Sequence, residues 1–175
     1  CSLGCKFCQN RQISRGQTGK KVTADCLADI FLELQQQKAN NINLVTAGHF
    51  LPQVAEAIEK SRNRGLQIPV VYNSSGYEKS EMLKLLEGLV DIYLPDFKYM
   101  DPELAEKYSY ARDYPEVAKE ALKEMVRQTG TPEFDRRGIM KKGVIVRHLL
   151  LPGHVKDSRR VLEYLLSTYE KEIYI

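Results

Sequence analysis

The chain has 175 residues, 43% of them hydrophobic and 28% charged; that is enough to bury one substantial core and excludes a disordered or low-complexity protein. Its 26 basic and 23 acidic residues leave a formal charge of +3, scattered without the basic run that marks a nucleic-acid or membrane surface, so neither partner is expected. No apolar stretch approaches the roughly 20 residues that span a bilayer, and the opening Cys-Ser-Leu-Gly-Cys is not a basic and then apolar leader, so the expected compartment is the cytoplasm.

Thr23 is placed to cap a helix whose residues Leu27, Ile30, Phe31 and Leu34 share one face, with Asn40 and Asn41 ending it. A strand over Ile42 to Thr46 follows, then a helix from about Pro52 to Arg64 that turns Val54, Ala55 and Ile58 to the core before Gly65 stops it. The pattern repeats as a strand over Ile68 to Tyr72, an Asn73-Ser74-Ser75-Gly76 exit loop, a helix over Ser80 to Leu86 and a strand over Val90 to Leu94. Asp101-Pro102 reads as a cap and first helical residue, and a longer helix runs from about Pro115 to Gln128. Arg136-Arg137-Gly138 reads as a turn pairing Glu133 to Asp135 with Ile139 to Lys141, after which Val144 to Leu150 is a strand, Lys156 to Thr168 a helix and Ile173 to Ile175 the start of a strand. Strands alternating with helices give an α/β domain, residues 1–175, built of βαβ units on a parallel sheet. Ligand groups are then expected at the carboxyl ends of the strands, where Thr46, Asn73, Asp96, Lys98 and the segment from Arg147 to His154 fall.

Three of the four cysteines, Cys1, Cys5 and Cys8, crowd into one short loop, a pattern of metal or redox chemistry in a leaderless chain. Thiolates at this spacing can wrap three corners of an iron-sulfur cluster and leave one iron open for a further ligand. The competing reading is a zinc site completed by Cys26 or a histidine. Cys26 stands four positions before Ile30 and is expected to be a packed core thiol instead.

The run Cys1-Ser2-Leu3-Gly4-Cys5-Lys6-Phe7-Cys8 resembles the C-x3-C-x2-C signature of radical S-adenosylmethionine (SAM) enzymes, including the aromatic before the last cysteine. Cys8-Gln9-Asn10, Gln12-Ile13-Ser14, Asn43 to Thr46, Pro95 to Tyr99 and Arg147 to His154 resemble the branch of pyruvate formate-lyase activating enzymes. The resemblance implies a partial (β/α)6 barrel, a [4Fe-4S] cluster on Cys1, Cys5 and Cys8, and SAM bound at the open iron. It implies one-electron cleavage of SAM to a 5′-deoxyadenosyl radical that takes hydrogen from a protein or small molecule. A glycyl-radical enzyme is the best-known target in that branch, and a low-potential flavodoxin- or ferredoxin-type donor supplies the electron. A non-catalytic iron-sulfur or zinc module is the alternative. Because the chain opens on Cys1 and closes within a strand, it is expected to be a fragment truncated at both ends, lacking the strand before the cysteine loop and binding the cluster poorly by itself.

Asp96 and Lys98, two apart on an extended backbone, point to one face. The resemblance makes Lys98 a candidate for the SAM carboxylate and Asp96 its polar or cation-binding neighbour; the competing reading is a surface ion pair. Arg147 lies in an otherwise apolar strand and needs an anion, which a SAM carboxylate would supply. Thr46 falls where related enzymes contact the SAM amino group, although Thr46-Ala47-Gly48-His49 departs from their Gly-Gly-Glu. Asn73 reads equally as a cofactor contact or a turn residue. His154, at a strand exit, is the stronger active-site candidate, with His49 in a similar place; His148 is expected to pack or face solvent. Tyr72, Tyr77, Tyr93 and Tyr99 are read as core or rim aromatics.

Overall fold

The computed structural model describes residues 1–16 and 19–175, and among them are seven α-helices and six strands. The cysteine loop leads into a short helix, α1 (Arg11–Arg15), and then α2 (Ala24–Gln36), β1 (Ile42–Val45), a 3-10 turn (Ala47–Phe50) and α3 (Leu51–Asn63). Next come β2 (Val70–Ser74), α4 (Ser80–Leu83) with a 3-10 turn (Lys84–Leu86), β3 (Ile92–Pro95), α5 (Pro102–Ser109) and α6 (Tyr114–Thr129). The chain closes with β4 (Glu133–Phe134), β5 (Met140–Ile145), α7 (Val155–Tyr169) and β6 (Ile173–Tyr174).

The sheet runs β1-β2-β3-β5-β4, with β6 paired to β5. Every pairing is parallel except the β4–β5 hairpin. Helices bridge successive parallel strands, the arrangement of a partial (β/α)6 barrel. Strand β2 is buried along its whole length, as a central parallel strand should be. Its neighbours bring Tyr72 beside Leu44 and Tyr93 in register. Leu51 and Ile58 of α3, Leu83 and Leu86, Leu122 and Met125 of α6 and Leu165 of α7 are each essentially inaccessible and cover this layer. No helix among the described residues is long and apolar enough to cross a membrane.

The caps expected from sequence form. The Thr23 hydroxyl accepts the Cys26 N–H at 3.1 Å, and the Asp101 carboxylate accepts from Glu103 and Leu104 ahead of α5. Several expectations fail in detail. Strand β2 takes in Asn73 and Ser74, expected as an exit loop, so Asn73 is a strand residue and not a turn residue. Helix α2 buries Ala28 and Phe31, while Ile30, Leu34 and Cys26 are exposed, so Cys26 is no core thiol. Helix α2 packs chiefly along α3, and that contact covers a narrower stripe than its apolar residues offer. The strand expected over Val144 to Leu150 instead starts at Met140 and ends at Ile145, because the hairpin arm and the parallel strand are one continuous element. Beyond it, a single parallel bridge joins Asp96 to Arg147.

Candidate active site

The cysteine loop rests on the end of α5. Leu3 is buried, and the N–H groups of Gly4 and Lys6 donate to the carbonyls of Ser109 and Tyr108 at 3.2 and 2.9 Å. Those carbonyls are among the last of α5, which the helix itself leaves without partners. Tyr110 ends α5 in the left-handed region at φ 56°, and Lys6 stands over its ring. Loop and helix thus close each other's open backbone groups.

All three loop cysteines are free thiols. Cys5 Sγ lies 3.0 Å from the Ser109 hydroxyl, which lies 2.8 Å from the Tyr99 hydroxyl, and Cys8 Sγ lies 3.8 Å from Ser14. The thiols face a cavity of about 540 Å³ that Thr46, Asn73, Asp96, Lys98 and Arg147 also line. Among the described residues no three His, Cys, Asp or Glu side chains gather closely enough to ligate one metal ion. The three thiols line one cavity, and their soft sulfur donors fit an iron-sulfur group better than a single hard cation.

In the same cavity, Asp96 holds two cations. Lys98 Nζ lies 2.5 Å from one carboxylate oxygen, and Arg147 reaches the other at 2.8 Å while also donating to Asn73 Oδ1 at 2.8 Å. The side chains of Lys98 and Asp96 are 11% and 22% exposed, so this pair is largely enclosed and is not the surface pair considered from sequence. One carboxylate against two cations leaves a net positive wall, suited to an anionic group.

Tyr114 holds that wall in place. Its fully buried hydroxyl accepts the Lys98 N–H at 3.0 Å and lies 2.9 Å from the carbonyls of Ser75 and Asp96, to either of which it can donate. Gly76, at φ +75°, permits the close approach, since a Cβ there would lie 2.1 Å from the Asp96 carbonyl oxygen.

Thr46 leaves β1 at φ 55°, a left-handed conformation that strains a β-branched residue, and its N–H donates to the Asn73 carbonyl at 2.8 Å. Thr46, Cys1 and Ser75 also line an adjoining cavity of about 300 Å³ that contains His49, Tyr77, Glu78 and Asp113. Burial pushes the Glu78 carboxyl up to about 7. The Tyr72 hydroxyl, buried in β2, makes no hydrogen bond of ordinary geometry among the described residues, and both it and the Glu78 carboxylate crowd the open space over Gly48.

Of the residues singled out from sequence, the three cysteines, Thr46, Asn73, Asp96, Lys98 and Arg147 meet in one cavity. His154 does not line it. The turn at Gly153, φ +80°, sends His154 to the start of α7, where Nε2 lies 3.0 Å from the Tyr108 hydroxyl. His148, expected to pack or face solvent, packs half-buried with Nδ1 2.7 Å from the Phe97 carbonyl, and it also lines the cavity. That contact fixes the proton on Nδ1. Ser109, Tyr99 and Tyr114 were not singled out as site residues, and only the apolar spacing of α5 and α6 could have hinted that those helices pack beneath the site.

Fold and site define a parallel α/β protein that gathers thiols and a cationic rim at the carboxyl ends of its strands, as a cofactor-dependent enzyme does. The chain matches the Radical SAM superfamily over residues 1–165 and belongs to that family. It is also 29% identical over 180 aligned positions to an uncharacterized protein of Methanocaldococcus jannaschii. That alignment covers 99% of this chain and 49% of the relative, so the chain spans about half the length of the curated relative it matches.

Proposed function

We propose that this chain is the catalytic core domain of a radical SAM enzyme of the activating-enzyme-like branch, with Cys1, Cys5 and Cys8 holding a [4Fe-4S] cluster. The observation that carries the reading is the shared cavity, which the three thiols line together with Lys98 and Arg147. When bound, cluster and SAM supply one-electron cleavage to a 5′-deoxyadenosyl radical that takes hydrogen from substrate. Lys98 and Arg147 take the carboxylate of SAM, and Asp96 sets the spacing of the two cations. Asn73 orients Arg147, and Thr46 presents its hydroxyl and backbone at the end of β1 for the amino group. His154 is left out of the set because it packs on Tyr108. The substrate is a protein or small molecule, with a glycyl-radical enzyme as the version implied by the motifs after Cys8, and the electron comes from a flavodoxin- or ferredoxin-type donor in the cytoplasm.

Anaerobic reconstitution with iron and sulfide followed by dithionite reduction tests this reading. The expected result is about four irons for each chain that takes up a cluster, at less than full occupancy, with a paramagnetic resonance signal that changes on adding SAM. A colourless protein holding one zinc would overturn it.

A further inference from the structure

The chain from Tyr99 through Ser109 to Cys5 has a defined proton order once Cys5 is a thiolate. A thiolate only accepts hydrogen bonds, so the single Ser109 proton goes to Cys5 Sγ across 3.0 Å. The Ser109 oxygen then accepts from Tyr99 across 2.8 Å, which uses the one proton of the phenol. Ser109 is 0% and Tyr99 1% exposed, so water does not compete for either bond. Backbone bonds from Gly4 and Lys6 to Ser109 and Tyr108 fix the loop over this pair, so the relay and the thiolate cannot drift apart independently. The contact recorded for the Cys8 thiol among the described residues is the long 3.8 Å one with Ser14. The Cys5 corner is therefore the one that the buried polar chain addresses.

We propose that Ser109, polarised by Tyr99, is a positioning residue that donates to the Cys5 thiolate and raises the reduction potential of the cluster bound there. This inference rests on the cluster reading above. Reduction by one electron from a low-potential donor puts more negative charge on the cluster and its sulfurs, and a fixed donor stabilises that form more than the oxidised one. Removing the donor leaves the reduced form harder to reach.

The test is a dithionite titration followed by paramagnetic resonance on the reconstituted full chain. For Ser109→Ala the reduced-to-oxidised ratio at a fixed solution potential should fall about tenfold, equivalent to 59 mV for one electron. Tyr99→Phe should shift the same way by less, and Ser109→Thr, which keeps the hydroxyl, should restore the wild-type ratio. Unchanged potentials in both Ser109→Ala and Tyr99→Phe, with iron and sulfide at the wild-type level, would overturn the inference. If Ser109→Ala loses its cluster, Tyr99→Phe decides alone, since it leaves Ser109 against Cys5; a shift supports the relay and none overturns it. A wild-type chain that takes up no cluster would instead contradict the proposed function.

Discussion

Asp96 sits between Lys98 and Arg147 in a wall with one negative and two positive groups. Lys98→Met leaves Asp96 paired with Arg147, so the fold should persist while SAM affinity, read by equilibrium dialysis on the reconstituted protein, falls on the order of tenfold, the scale of one charge-assisted hydrogen bond. An unchanged affinity would remove Lys98 from the proposed set. Glu78 gives a second residue-level outcome with a defined sign. Its folded value of about 7 lies above the ordinary 4.5, so the neutral form stabilises the fold below pH 4.5, and that contribution is lost as pH rises through 7. Glu78→Gln should therefore raise Tm at pH 8 and leave it unchanged at pH 4. The sequence exposed the Asp96–Lys98 pair through its two-residue spacing, and Arg147 through its apolar neighbours. It could not show that the anion satisfying Arg147 is Asp96 itself, because that contact joins residues 51 apart through a single bridge between strand ends.

Among the elements, the alternation of strands and helices was legible because hydrophobic period and caps agree locally. The hairpin residues around Arg136 were read correctly as a turn, but the arm after it runs on into the parallel strand. Local pattern marks where a strand exists and not which partners divide it. The cradle formed by α5 had no signal of its own, since Cys5 and Ser109 are 104 residues apart. His154 misled for a related reason: its motif marks a strand exit, while the turn at Gly153 decides which way the side chain leaves. Two substitutions probe how β2 and β3 are joined. Tyr114→Phe removes hydrogen bonds to backbone groups of both strand exits, and should cost about 1–3 kcal/mol of stability in denaturant unfolding, because buried partners are left unsatisfied. Gly76→Ala drives a Cβ against the Asp96 carbonyl from a positive φ, and should lower Tm and SAM affinity together. Retained affinity in Gly76→Ala would mean that the Asp96 rim does not contribute to binding.

For the whole molecule, five parallel strands direct their carboxyl ends to one rim, and the cysteine loop lies against that rim from the α5 side. This brings together chemistry carried by residues from both ends of the chain. The chain belongs to the radical SAM superfamily, and in the proposed reading the three thiols hold the cluster while the charged wall takes the carboxylate of SAM. The most direct measurement of the central claim is the yield of 5′-deoxyadenosine from the reconstituted, dithionite-reduced chain incubated with SAM, beside a Cys5→Ala control. The account predicts formation by the wild-type chain and none by Cys5→Ala. Equal yields from the two, or none from a wild-type chain carrying a full cluster, would contradict it.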